Sequence, residues 1–377
     1  MRLSWLRDER VYVSVLVGAL IAIGVFGVWA GSHMDVRTGK LALLELGLLC
    51  GAACLIRPLS ARMFALWVVF GVLVVYDWRS IITCWRIILA LLAVQVIRSR
   101  LSKEGVPGVL NAWRVVTILH TAYMLVYQAV GFDPIFNPIL DRSVTMVGFM
   151  DNTTIAGAYT AMTIPLFFRG RWKWYVPAGL FATYLTGSTG ALVVACSLIC
   201  LQVFHWALAG RKRRLLAVLA LAGICCAAVG PGLTKKIEGE KSARVLVWKE
   251  AMRQLEEKPV RLLTGFGPGQ FGREFRERFE LRHKFLRWEV AHSEPIQGLY
   301  EFGLIGMSWI LLFIFWILNQ ARRDRDEVTR LFCLTALGWF MVSIFTFSAH
   351  HAALAMVLLM SIAMIGVPTK EVFNAAR

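Results

Sequence analysis

Long apolar runs, broken by short charged turns, organise this chain. Crossing a bilayer takes about 20 apolar residues as a helix. Twelve runs approach that length, at about 11–30, 41–56, 63–77, 81–97, 112–131, 153–168, 174–187, 190–209, 215–233, 296–318, 331–349 and 352–367. The run near 174–187 is the shortest. Between the ninth and tenth runs the pattern changes. From Thr234 to Pro295 the chain is dense in Lys, Arg and Glu. A connection of roughly sixty residues is far longer than two neighbouring helices need, and long ordered loops tend to carry function.

The pattern predicts an all-α polytopic membrane protein with about twelve transmembrane helices and a long helical loop outside the membrane. Residues 1–233 carry helices one to nine, 234–295 the loop, and 296–377 helices ten to twelve with a short cytoplasmic tail. Short-loop charge sets the orientation, because Lys and Arg collect on the cytoplasmic side. Arg57 and Arg62, Arg98 to Lys103, Arg169 to Lys173, Arg211 to Arg214, and Arg322 to Arg325 mark alternate turns. With the N-terminus inside, these all fall inside, and the turns at 31–40, 132–152 and 348–351 fall outside. The long loop is then outside too, and both chain ends are cytoplasmic. Its basic character is compatible, since long loops translocate largely regardless of charge.

Composition agrees with this picture. The 377 residues are 58% hydrophobic, with a mean hydropathy of +0.61. The net charge of +17 suits cytoplasmic turns facing a lipid bilayer, and no nucleic-acid-binding motif accompanies it. Eight cysteines all lie in apolar runs, which reads as reduced packing residues. The basic opening MRLSWLRDER leads into a long apolar run with no small-residue cleavage site, a first span rather than a cleaved signal. Ionisable residues at membrane depth are functional candidates by default. Here they are Glu45, Arg86, Arg114, His120 and His205, although Arg114 and His205 can snorkel from near a helix end. Asp151 and Asn152 either cap the sixth helix or face a ligand at its outer end.

Within the loop, Val245, Trp248, Met252 and Leu255 form one helical stripe after a Ser242 cap, predicting a helix over about 242–257. Arg244 lies in its first turn, where a guanidinium and free backbone N–H groups can meet an anion. A solvated arginine is the plainer alternative. The run Gly265-Phe266-Gly267-Pro268-Gly269 is either a phosphate cradle or a tight turn with close backbone approach. Phe271, Phe275 and Phe279 repeat every four residues and predict a second amphipathic helix over about 270–288, packed on the first or lying on the membrane. The loop closes at His292-Ser293-Glu294-Pro295. A neutral histidine there can accept a proton near neutral pH; a polar residue at the interface is the simpler reading.

Together, Arg244-x3-Trp248, Gly265-x-Gly267-x-Gly269-x-Phe271 and His292-x10-Gly303-x2-Gly306 resemble the O-antigen ligase and O-antigen polymerase superfamily. Gly148-Phe149-Met150-Asp151-Asn152 resembles the family's Gly-aromatic-x2-Asn lead into a helix. Ser188-Thr189-Gly190-Ala191 resembles its Ser-Arg-Gly-Ala segment, with Thr189 where many members carry arginine. Ser293 stands where the family often has asparagine.

The resemblance implies a GT-C-like, inverting, metal-independent glycosyltransferase of the bacterial inner membrane with no cofactor. Its donor would be an undecaprenyl-diphosphate-linked glycan, and its acceptor lipid A-core or another glycan at the periplasmic face. It assigns Arg244 to the donor diphosphate and His292 to the acceptor proton. Arg142, Asn152, Trp248, Gly265, Gly267, Gly269, Ser293 and Glu294 become donor- or acceptor-binding candidates. Polymerase chemistry on a growing glycan, transport of a lipid-linked glycan, and a catalytically dead scaffold are the competing readings.

Overall fold

The computed structural model describes residues 105–130, 152–208, 243–275, 291–323, 326–346 and 352–367, together with Val94, Ile97 and Arg98. Among the described residues the chain is all-helical, with no strand. The elements are α1 (Gly105–Val130), α2 (Thr153–Thr163), a 3-10 turn (Ile164–Phe167), a second (Gly170–Trp174), α3 (Tyr175–Leu185), α4 (Thr189–Leu208), α5 (Ala243–Glu256), α6 (Pro259–Thr264), a π-helical turn (Phe271–Phe275), α7 (Glu294–Arg323), α8 (Glu327–Ser343) and α9 (Ala352–Met364).

Seven of the twelve apolar runs correspond to described helices: α1 to α4 and α7 to α9. Of the other five, Val94 and Ile97 in the fourth run are the described residues, and Glu45, Arg86, Arg142, Asp151 and the His205 side chain lie outside the described residues. Two described helices, α1 and α7, are long and apolar enough to cross a membrane. Helix α1 begins at Gly105, earlier than the apolar run suggests.

These helices pack around one large apolar core contributed by α1 to α4 and α7 to α9. Small residues set the close approaches between helices. A Cβ on Gly157 of α2 would lie 2.6 Å from Thr186 Oγ1 and 3.2 Å from Ala191 Cβ. One on Gly338 of α8 would lie 2.8 Å from the Leu198 side chain. Buried hydroxyls of Thr160, Thr163, Thr183, Thr335, Ser343 and Ser361 donate to carbonyls of their own helices, which removes their desolvation cost. Arg114 is buried, and its Nε donates 2.8 Å to the Leu166 carbonyl, where the 3-10 turn leaves acceptors open. Its guanidinium also faces Trp172. Arg114 therefore ties α1 to the end of α2, a structural role. His120 is fully buried and meets the Tyr159 ring edge-on at 5.3 Å.

A second, separate core forms a cap. Val247, Ala251 and Leu255 of α5 meet Phe266, Phe271, Phe275, Ala291 and Tyr300. Phe271 stacks on Phe275 at 4.3 Å, and both pack edge-on against Tyr300. Trp248, Met252 and Leu255 of the stripe predicted for α5, with Phe271 and Phe275, are thus turned to protein, whereas Val245 is exposed. Phe279 lies outside the described residues. The predicted second helix is replaced at its start by the π-helical turn at Phe271–Phe275. An unpredicted helix, α6, precedes it. Pro259 starts α6, where the missing N–H costs nothing, and Gly265 ends it with φ +73°.

Helix α7 joins the two cores. Its first turns, with Ile296, Leu299 and Tyr300, complete the cap, so the cap core runs past Pro295. Its far half, with Phe313, Ile314, Trp316 and Ile317, enters the bundle. The two halves break at Gly303, whose φ of 63° and ψ of −169° are not helical.

Candidate functional site

Three motifs, far apart in the chain, meet in the cap. The first is α5. Arg244 is its second residue, half-exposed, and has no hydrogen-bond or ion-pair partner among the described residues. Trp248 lies one turn on, on the same face. Its indole Nε1 donates 2.8 Å to the carbonyl of Ala291. That bond fixes the Arg244 face of α5 against the residue before His292.

The second motif is the turn 291–294. The N–H of Ala291 donates 3.3 Å to Gln297 Oε1, while its carbonyl takes the Trp248 indole. Both backbone groups of Ala291 are therefore held by side chains. His292 follows with φ +53°, the one non-glycine residue with positive φ among those described. For a residue with a Cβ this left-handed conformation is disfavoured, by of order 1–3 kcal/mol. The clamp on Ala291 and the start of α7 supply what sustains it. Ser293 is buried, and Glu294 is the half-buried first residue of α7.

The third motif is the glycine turn. Gly265, Gly267 and Gly269 all have positive φ. A Cβ on Gly265 would sit 2.2 Å from the Glu301 carbonyl oxygen, and one on Gly303 would sit 2.3 Å from the Leu263 carbonyl oxygen. Two glycines facing each other thus let the end of α6 dock into the break in α7. The turn's amides are already engaged. Phe266 N–H donates to the Tyr300 carbonyl and Gly267 N–H to the Glu301 carbonyl. Gly269 N–H reaches Glu301 Oε2 at 2.8 Å, and Phe271 N–H reaches Oε1 at 3.4 Å. Of the two sequence readings, the close-approach turn describes this geometry, and the anion it cradles is the protein's own carboxylate.

Glu301 is the residue that the sequence reading passed over. It is buried, accepts from Gly269, Phe271 and Gln297 Nε2, and offers its carbonyl to Gly267. Those donors match an ionised carboxylate, which accepts only. A second polar chain crosses the cap. Tyr300 Oη donates 2.9 Å to Gln254 Oε1, Gln254 Nε2 donates to Glu250, and Glu250 binds Arg253 through two guanidinium nitrogens. The Glu250 carboxylate raises the Arg253 pKa above its ordinary value. Arg253 also pairs with Glu257. Arg253 is thus committed to carboxylates, whereas Arg244 meets none among the described residues. The available signal for Glu301 was an acid within the opening turns of an apolar helix.

Two expected residues stand apart. Asn152 is exposed at the start of α2, where its Oδ1 accepts from Thr154 N–H at 2.7 Å, the N-cap of the sequence alternative. Arg142 lies outside the described residues. Thr189 opens α4 half-buried, and the neighbouring Ser188 Oγ accepts from Ala191 N–H.

Residues 174–311 match the family model described as O-antigen ligase. Over this stretch the chain is similar to the O-antigen ligase family. This supports its assignment to the O-antigen ligase superfamily, as the motif order implies. The matched stretch opens at the start of α3, spans α5, the glycine turn and His292, and ends in the bundle half of α7. Asn152 and Arg142 precede it. No curated protein matches the chain. An O-antigen ligase domain supports a membrane glycosyltransferase-type activity of the ligase or polymerase kind, acting on a lipid-linked glycan and an acceptor.

Proposed function

We propose that this protein is an O-antigen ligase that transfers a glycan from an undecaprenyl-diphosphate carrier to an acceptor hydroxyl, lipid A-core or similar, at the periplasmic face of the bacterial inner membrane. The observation that carries the reading is the Trp248–Ala291 bond. It ties the face bearing Arg244, which has no partner among the described residues, to the turn that holds His292 in a left-handed conformation.

In this reading Arg244 binds the donor diphosphate. A guanidinium is permanently charged and matches phosphate oxygens with two parallel donors. His292 accepts the proton of the acceptor hydroxyl. The acceptor oxygen attacks the anomeric carbon from the face opposite the diphosphate, so the configuration inverts. The bond from that carbon to the carrier oxygen breaks, and its electron pair leaves on the diphosphate. Arg244 stabilises the charge that develops there. The proton on His292 then passes to solvent. Glu301 and the glycine turn contribute by holding the start of α7 and the His292 turn in place. Charge on the leaving group is met by arginine, so chelators leave the rate unchanged.

The test is reconstitution of the purified protein in proteoliposomes with a defined undecaprenyl-diphosphate glycan and candidate acceptors. Transfer of one glycan block to lipid A-core supports the ligase. Chain extension on a glycan acceptor would make it a polymerase. Movement of the donor across the bilayer without glycosidic-bond formation would make it a transporter and overturn the proposal.

A further inference from the structure

The cap carries a surface that the reaction above does not use. Helix α6 is six residues long (Pro259–Thr264). Leu262 packs on the cap core, while Val260 and Leu263, three apart on another face, are 70% and 52% exposed. Scattered exposed apolar residues are ordinary on a soluble surface. The height of α6 along α7 makes these two different.

From Leu304 to Arg322, α7 rises about 27 Å at about 1.5 Å per residue, close to the roughly 30 Å hydrocarbon core. Over this stretch Leu304, Ile305, Trp309, Leu311, Leu312, Phe315 and Leu318 are all exposed, an apolar stripe suited to lipid. Arg322 is exposed at one end, where its charge reaches the aqueous boundary. Gly303 therefore marks the opposite boundary. The end of α6 docks there, with the Leu263 carbonyl against Gly303. Docked against Gly303, the exposed Leu263 lies level with the start of the stripe at Leu304. Two cations lie on the same short helix and its cap: Lys258 Nζ and the Arg261 guanidinium both lie 5.7 Å from the Phe266 ring centre, Arg261 Nη1 also donates 3.2 Å to the Gly265 carbonyl, and neither cation is ion-paired among the described residues. Cations that meet no carboxylate among the described residues, beside apolar side chains at this depth, complement anionic headgroups.

We propose that α6 is an interfacial anchor. Val260 and Leu263 enter the headgroup–acyl boundary of the leaflet on the cap side, and Lys258 and Arg261 meet the phosphates of anionic phospholipids. The anchor fixes the height of the cap above the bilayer, whichever glycan the protein handles.

Depth-dependent quenching tests this in the full-length protein reconstituted in nanodiscs of mixed neutral and anionic phospholipid. Val260→Cys and Leu263→Cys carry a bimane label, with Ile305→Cys as the lipid-facing reference and Glu256→Cys as the aqueous one. Signal from the unlabelled-site parent is subtracted. The expected result is that lipids spin-labelled near the headgroup quench both α6 labels, as they do Ile305→Cys, and that iodide quenches them several-fold less than Glu256→Cys. Lys258→Gln with Arg261→Gln should lower lipid quenching in anionic discs and leave it unchanged in neutral ones. Iodide quenching equal to that of Glu256→Cys, or shielding from lipid and iodide alike, overturns the anchor. Equal lipid quenching in anionic and neutral discs for the unaltered cations overturns the phosphate contact.

Discussion

At the scale of single residues, the cap depends on backbone positions that tolerate no side chain. Gly265 combines a φ of +73° with a Cβ position 2.2 Å from the Glu301 carbonyl, and Gly303 mirrors it against Leu263. Each glycine needs both its conformation and its lack of volume. Gly265→Ala and Gly303→Ala should each destabilise the cap by more than the roughly 1–3 kcal/mol of the strained conformation alone. Thermal unfolding followed by tryptophan emission in detergent reads this. An unchanged melting profile would show that the turn does not dock as described. Trp248→Phe makes a subtler probe: it keeps the ring and deletes the N–H to Ala291. A single hydrogen bond contributes only about 1 kcal/mol to stability. If that bond positions His292, turnover should fall about tenfold or more while folding barely changes; equal activity would leave Trp248 as packing alone.

At the scale of elements, most of what the sequence shows follows from the solvent. Long apolar runs predict helices, and α2, α3, α4, α7, α8 and α9 begin or end within a few residues of those runs, although among the described helices α1 and α7 are the two long and apolar enough to cross a membrane. Trp248, Met252 and Leu255 of the predicted stripe likewise mark the packed face of α5, while Val245 faces out. Three features leave no such trace. Helix α6 is too short for periodicity to register. The break at Gly303 falls inside a continuous apolar run, and only its contact with Leu263 explains it. Glu301 finds its partners thirty residues upstream on backbone amides, which no side-chain pattern encodes. The glycine turn was legible as a close approach, but its guest was not. Because Phe271 and Tyr300 are fully buried in so small a core, Phe271→Ala should cost about 3–5 kcal/mol. It should expose the 243–302 segment to limited proteolysis while the bundle stays intact. Resistance equal to the parent would mean the two cores do not behave as separate units.

At the scale of the whole molecule, the contacts sort into two ends. Arg169 of the turn after α2 lies 3.5 Å from Glu327 at the start of α8, so two of the basic turns share one end. At the other end the start of α2 meets the α3–α4 turn through Gly157, and Gly190 lies against Phe345. Helix α7 runs from the cap to the Arg169 end. This grouping supports the proposed orientation, with the cap outside. Single cysteines at Gly267 and His350 should then react with an impermeant thiol reagent in intact cells. Those at Arg171, Arg213 and Arg323 should react only after permeabilisation. Labelling of Arg213→Cys from outside would break the assignment.

The central claim is that Arg244 and His292 serve one site, the first holding the donor and the second taking the acceptor's proton. The most direct measurement separates these duties in the reconstituted protein, reading donor binding and glycan transfer side by side. Losing a general base typically lowers the rate by about 10²–10⁴-fold. His292→Ala should therefore abolish detectable transfer and leave donor binding nearly intact, whereas Arg244→Ala should weaken both. Full transfer activity in His292→Ala, or donor binding untouched in Arg244→Ala, would contradict the account.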